Sequence, residues 1–388
     1  ALKMLAQPAE QRAAMAAVQG LSLEVFDYQL CAQAWPETYG VLRNESLAHM
    51  ESDAGVVASQ EWEKEDRAFI AETEREMVAA AAAAVVGCAA ATEGQACYIC
   101  MDGAAEEGLV RGCACRGAAG VAHVSCLARQ AQVAVERRSG PRFLRWFTCG
   151  LCEQRYHGVV ACALGWACWK TYVGRPETDQ VHVSTMNRLG NGLSSAGHHA
   201  DALPVREAEL ATLRRLGASE DNLFAVQGNL ASTVYKLGRF EDALRIERGV
   251  YSGRSKFLGE EHPQTLLTAN NYADSLHSLH RFEEAKSVLR KIIPVARRVV
   301  GDSHELTLRM RTNYARSLYK DDGATLDDLR EAVTTLEETE RIARRMLGGA
   351  HPLTVDMEKS LRKSRAVLAA REGDPSARTM LCEALKAM

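Results

Sequence analysis

Between residues 97 and 152 the chain reads Cys97-x2-Cys100-x12-Cys113-x1-Cys115-x7-His123-x2-Cys126-x22-Cys149-x2-Cys152, and no other stretch restricts its fold so tightly. Thiolate and imidazole groups one to four residues apart close small chelate rings on a tetrahedral metal ion, and the soft, borderline donor set suits Zn²⁺. Four such pairs are what two structural zinc sites need. About 65 residues surround them, too few to bury a sizeable apolar core, so a unit of this kind depends on metal for its fold.

Composition frames the rest. The 388 residues allow two or three domains. Apolar residues make up 47% and aromatics only 6%, and Ala supplies much of the former, which favours helices over strands. The expected class is therefore mostly α. A net charge of −3 argues against a nucleic-acid partner held by phosphate neutralisation. Residues 1–92 carry 14 acids against 6 bases, leaving the remainder mildly basic. Seven of the twelve cysteines belong to the zinc pattern; Cys31, Cys88, Cys162, Cys168 and Cys382 are scattered and odd in number. Ligand thiolates and unpaired thiols fit a reducing compartment, so a cytoplasmic location is expected, the nucleus remaining open. No membrane span is expected, the nearest candidates being Met77–Ala91 and the shorter Gly158–Trp169. The first residue is Ala rather than Met, which leaves open a targeting segment ahead of it.

The chain divides into five parts. Residues 1–92 are acidic and Ala-rich, with a helical stretch at Glu61–Val86 read as an exposed helix running into a flexible Ala linker, or as a partner-binding helix. The zinc region occupies 93–157 and an apolar connecting segment 158–178, broken at Gly174-Arg175-Pro176. Residues 179–371 form a repeat region, and 372–388 a tail.

The repeats have a period of 42. Asn229-Leu230-Ala231 returns as Asn271-Tyr272-Ala273 and Asn313-Tyr314-Ala315. Arg239-Phe240-Glu241-Asp242-Ala243 returns as Arg281-Phe282-Glu283-Glu284-Ala285. Leu258-Gly259-x2-His262-Pro263-x-Thr265 returns near Gly301 and His304, and again at Gly348 and His351. The last spacing is 47, and the turn-like Asp321–Thr325 accounts for the five extra residues. Each unit has the design of a helical hairpin, with small Ala at the helix crossing and a Gly-x-x-His-Pro turn between units. No hairpin of this kind buries its own apolar face, so about four of them must stack into a solenoid. His262, His304 and His351 stand a repeat apart, which excludes a shared metal and points to a role in the turns.

These elements resemble tetratricopeptide (TPR) repeats of the kinesin-light-chain-like kind. The resemblance implies a scaffold whose concave face binds a substrate protein or peptide. By position, Asn229, Asn271 and Asn313 are the peptide-binding candidates, unless they instead bond neighbouring repeats. Tyr235, His277 and Tyr319 recur at the same period and are candidates for the same face.

The zinc region resembles the RING-CH (RINGv) finger of ubiquitin ligases. PHD fingers order their ligands alike, but usually have Cys-x2-Cys as the second pair and a shorter gap before the histidine. The resemblance implies a cross-brace, with Cys97, Cys100, His123 and Cys126 on one zinc and Cys113, Cys115, Cys149 and Cys152 on the other. Both ions would be structural, and His157 would be a surface residue. The resemblance further implies a ubiquitin-conjugating enzyme as partner, docked at the positions of Ile99, Leu127 and Trp146. For each of these the alternative is core packing. Many active RING domains carry Arg or Lys after the last ligand, where this chain has Glu153, the nearest base being Arg155.

Together the two resemblances imply an E3 ubiquitin ligase with an enzyme-recruiting finger and a substrate-binding solenoid, such tethering raising local concentration. The alternatives are a non-catalytic adaptor and, less favoured, a PHD-like chromatin reader. No nucleophile–base pair, phosphate-binding loop or dinucleotide fingerprint occurs, so no catalytic residue is expected.

Overall fold

The computed structural model describes residues 53–104, 107–137, 143–175, 178–349 and 351–373, with side chains from residue 68 onward. The readings made for residues 1–52, for Pro176 and for the tail beyond 373 lie outside the described residues. The described chain is helical with no strand; two isolated bridges, Val110 to Ala122 and Thr148 to Arg155, are its only sheet-like pairings. It divides into two compact units, residues 1–218 and 219–388.

The first unit holds helices α1 (Asp53–Thr92), α2 (Val124–Glu136), α3 (Gly158–Tyr172), α4 (Gln180–Ser195) and α5 (His199–Arg215), with a short 3₁₀ turn at Leu144–Trp146. The connecting segment of the sequence reading is α3, and it is the hub of this unit. It is apolar on every side, a pattern that suits a helix enclosed by neighbours. Val160, Leu164, Trp166 and Trp169 are all buried. Trp169 meets Phe69 of α1 edge-on at 6.5 Å and His182 of α4 at 5.6 Å. A methyl on Gly192 of α4 would lie 2.5 Å from the Ala161 carbonyl oxygen. Only glycine lets α3 and α4 approach backbone to backbone there.

The flexible Ala linker expected before the zinc region is corrected. α1 continues unbroken through Met77–Ala91, because Ala is the best helix former and its small side chain permits close packing. Ala84 and Cys88 are buried, and the Cys88 thiol donates to the Arg111 carbonyl at 3.4 Å. The other face leaves Val78 and Val86 exposed. Ala68–Thr92 reaches the length and apolar composition that would suffice to cross a membrane; in this fold one of its faces is packed on α3 through Met77 and Ala80.

The second unit alternates helices as the 42-residue period requires: α6 (Glu220–Lys236), α7 (Phe240–Phe257), α8 (Pro263–Ser278), α9 (Phe282–Val299), α10 (Glu305–Tyr319), α11 (Leu326–Leu347) and α12 (Pro352–Glu372). The pattern begins one hairpin earlier, at α4 and α5, which belong to the first unit. Both alanine columns, Ala231, Ala273, Ala315 and Ala243, Ala285, Ala332, are fully buried. His262, His304 and His351 each cap a helix: Nδ1 accepts from the backbone N–H two residues on, at 3.2, 3.2 and 3.3 Å. The five extra residues of the last unit make a turn. Asp321 accepts from the Gly323 N–H at 3.0 Å, and a Thr325–Asp328 capping box opens α11.

Candidate metal centre and peptide groove

Two CxxC knuckles frame the metal region and repeat one backbone design. Met101 N–H donates to the Cys97 carbonyl at 2.9 Å and Glu153 N–H to that of Cys149 at 3.1 Å. Cys97 N–H in turn reaches Asp102 O at 2.8 Å, and Cys149 N–H reaches Gln154 O at 2.9 Å. Inside each turn a backbone N–H, of Ile99 or Leu151, points at the first sulfur from 3.4 Å. The geometry drives the residue after the second cysteine to positive φ, 68° at Met101 and 57° at Glu153. That region is strained for a residue with a side chain.

Between the knuckles, the Val110–Ala122 bridge brings the Cys113 loop beside His123, which opens α2, with Cys126 one turn on. Chain order and spatial order therefore interleave. Cys97, Cys100, His123 and Cys126 form one group, Cys113, Cys115, Cys149 and Cys152 the other, with the ligand atoms of each group within 4.8 Å of one another.

His123 Nδ1 faces the sulfurs of Cys100 (3.4 Å) and Cys126 (3.8 Å), while Nε2 lies 3.0 Å from the Gly103 carbonyl oxygen. Donation from Nε2–H to that carbonyl leaves Nδ1 free to bind metal, an outer contact typical of ligating histidines. His123 stands at the N-cap of α2 but caps nothing with its side chain. Glu107 fills that role from a loop, accepting from the Ser125 N–H at 2.8 Å and from its hydroxyl.

The thiols of each group differ sharply. Burial raises the Cys97 thiol, but backbone N–H donors, those of Cys100, His123 and Ile99, outweigh it and bring it down to about 7. Burial, then the thiols of Cys100 and Cys97, pushes Cys126 up to about 12. In the second group the Gln154 N–H leads in lowering Cys152 to about 7, while burial raises Cys113 well above the ordinary thiol range. Crowded sulfurs cannot all ionise unaided, and a divalent cation removes the conflict. Donor type, count and outer contacts are compatible with zinc at both groups. Gly120, which the spacing argument had no reason to single out, abuts the second group. A Cβ there would lie 2.8 Å from the Cys113 sulfur and 2.7 Å from the Cys115 Cβ, and its φ is 77°.

Of the three docking positions, Leu127 (3% exposed) belongs to the core beneath the metal groups, and Trp146 (2%) packs on Tyr172 and Cys168 of α3. Neither offers a surface. Ile99 is half-buried, and the apolar side chains exposed beside the knuckles are Met101 (74%) and Leu151 (52%). Glu153 and His157 are exposed, and the Arg155 guanidinium lies 5.9 Å from the centre of the Phe147 ring.

In the second unit Tyr235, His277 and Tyr319 line one groove with Asn313, in a cavity of about 320 Å³. Asn313 is buried and donates to Asn270 (3.2 Å) and Asp274 (2.6 Å) of the preceding repeat. Asn229 and Asn271 are half-buried and do not line this cavity. Burial pushes Asp274 up to about 6, the nearby Arg316 opposing it. Burial, then Lys320 and Arg316, brings His277 down to about 4 and keeps it neutral near pH 7.

Comparison with known families finds two matching regions. Residues 97–152 match the RING-variant domain. Residues 222–298 match the tetratricopeptide repeat. Curated proteins return no match. Among solved structures, a kinesin-light-chain-type protein of Podosopora anserina with nearly identical TPR-like repeats is 19% identical, over 53% of this chain and 93% of that one, at a TM-score of 0.43. BtubC (BKLC) from P. vanneervenii is 15% identical, over 68% of this chain and 90% of that one, at 0.44. The region that matches the RING-variant domain holds the two groups of four Cys/His side chains, and the region that matches the tetratricopeptide repeat follows it.

Proposed function

We propose that this chain is a RING-type E3 ubiquitin ligase. Cys97, Cys100, His123 and Cys126 would hold one structural zinc, and Cys113, Cys115, Cys149 and Cys152 a second. The interleaving of these two groups within a RING-variant domain is the observation that carries the reading. Zinc would fix the two knuckles relative to α2, and with them the apolar side chains of Ile99, Met101 and Leu151 that a ubiquitin-conjugating enzyme can dock on. Rate enhancement on this reading comes from holding the charged enzyme and its acceptor in a reactive pose, not from a nucleophile on this chain. The TPR groove would hold the substrate protein, in the cytoplasm.

The test is self-ubiquitination by the full chain with activating enzyme, ubiquitin and a panel of conjugating enzymes. Cys149→Ser is expected to abolish transfer, and Ile99→Ala to reduce it at least tenfold with bound zinc unchanged. No transfer with any conjugating enzyme, at two zinc ions per chain, would sink the ligase reading. A second reading, a non-catalytic adaptor, is favoured by Glu153, an acid at positive φ where many active RING domains carry a base.

A further inference from the structure

The groove of the second unit carries an unbalanced charge. Arg316 of α10 is already engaged, donating to Asp356 (2.7 Å) and Ser360 (3.0 Å). Asp274, the other acid lining the cavity, is held by the amides of Asn313 and Asn270. Three further cations line the same cavity: Lys320, at the end of α10, and Lys359 and Lys363, one turn apart on α12. None of the three forms a salt bridge among the described residues. Lys320 and Lys363 lie close enough to act on one another, since burial and then Arg316 and Lys363 push the Lys320 ammonium below its ordinary value, Asp356 opposing them. Many exposed bases elsewhere in the unit are paired with acids, as Arg239 is with Asp242 and Arg281 with Glu284, and those that are not, such as Arg248 and Lys256, do not converge on a cavity as these three do.

We infer that this end of the groove binds a phosphorylated serine or threonine on a partner protein. A single carboxylate brings one charge and two oxygens, which three ammonium groups from two helices over-match. A phosphate monoester brings a charge of about −1.5 to −2 and three strong acceptor oxygens, enough to meet all three lysines. Lysine, a point charge with three rotatable donors, suits a tetrahedral anion that approaches between helices. Tyr235, with its hydroxyl 2.8 Å from the Ser278 hydroxyl, and Tyr319 line the adjoining wall, where flanking residues of an extended segment would lie.

This inference rests on the reading of the groove as a peptide site, and the experiment separates the two. The full, zinc-loaded chain is passed over three immobilised degenerate peptide libraries that share flanks and carry phosphoserine/phosphothreonine, serine/threonine or glutamate at the centre. Retention on the phosphorylated library at least tenfold above both others is expected, and Lys359→Ala/Lys363→Ala should abolish that excess with helicity and melting temperature unchanged. Equal retention of the phosphorylated and unphosphorylated libraries overturns the phosphate inference and keeps the peptide groove. Equal retention of the glutamate and phosphorylated libraries also overturns it, in favour of a general acidic ligand. No retention on any library overturns both. The library comparison on the wild-type chain decides the matter even if the lysine variant is poorly folded.

Discussion

Gly120 shows how much one residue can decide when two crowded cysteines pack against it. Its backbone sits at positive φ, and the space a side chain would take is filled by Cys113 and Cys115. Gly120→Ala therefore combines backbone strain with contacts under 3 Å, together on the order of 3 kcal/mol or more. The expected result is a fall from two bound zinc ions per chain to one, read by metal analysis of the purified protein; unchanged stoichiometry would mean the loop yields. Glu247 of α7 is the opposite case, a residue the fold carries at a loss. It is 4% exposed with Oε2 unpartnered, and burial is the main reason its carboxyl is pushed up to about 7; Asp274 adds to the shift and the Ser275 hydroxyl opposes it. The folded chain thus binds this proton more tightly than the unfolded chain does. The resulting stabilisation is complete below the unfolded value, near 4.3, and is lost as pH rises through about 7. Glu247→Gln cannot ionise, so at pH 8 it should be more stable than the wild type by on the order of 2 kcal/mol, the gap closing toward pH 5 in thermal melts. A gap that did not change with pH would show that Glu247 is not the group responsible.

Four helix starts in this protein carry unusual caps, three of them histidines and one a distant glutamate. In the repeats histidine serves, its Nδ1 turned back on the N–H two residues on, and the recurrence of Gly-x-x-His pointed to that turn role from the sequence. At α2 the residue in the same place, His123, has its Nδ1 turned to the Cys100 and Cys126 sulfurs, and Glu107 reaches in from eighteen residues earlier to accept from Ser125. Nothing local in the sequence marks that pairing, because it exists only once the loop has closed. Glu107→Ala should cost about 1 kcal/mol, the worth of an N-cap, without removing either zinc. A loss of metal in that variant would show instead that Glu107 holds the ligand loop itself. The same distinction between local and non-local explains which elements were legible. The two groups of four Cys/His side chains were readable because chelate rings are short in sequence, and the solenoid because its period repeats. The path of α1 was not, since an Ala run is equally compatible with a free linker, and only its contact with α3 and Arg111 decides. Leu127 and Trp146 were ambiguous for a similar reason: in so small a domain, docking and core positions draw on the same apolar residue types. Asn313 shares its repeat position with Asn229 and Asn271, yet only it reaches Asn270 and Asp274.

At the scale of the whole molecule, the distribution of tryptophan gives the first unit a probe of its own. All five tryptophans precede residue 170. Trp146, Trp166 and Trp169 are buried around α3 in the first unit, while the sequence of the second unit has none and its described residues form helices α6 to α12. The core beneath the metal groups is continuous with α3: Cys97, Cys113 and Cys149 share one apolar cluster with Val160, Ala163 and Leu164. If zinc organises the two ligand groups, a chelator removes the framework on which α3 rests, and structural zinc in small domains commonly supplies the folding energy outright. The second unit draws its core from Leu266, Leu289, Met310, Leu318 and Leu336, all remote in sequence from the Cys/His groups. Chelation of the full chain should therefore shift tryptophan emission to the red as the α3 core opens, while far-ultraviolet circular dichroism keeps the share of helix that α6 to α12 contribute. Re-addition of two equivalents of zinc should restore the emission. Unchanged emission after complete removal of zinc would show that packing of α1 and α4 on α3 suffices without metal, and a loss of nearly all helix would show that the repeat unit depends on the metal-bearing one for its own stability.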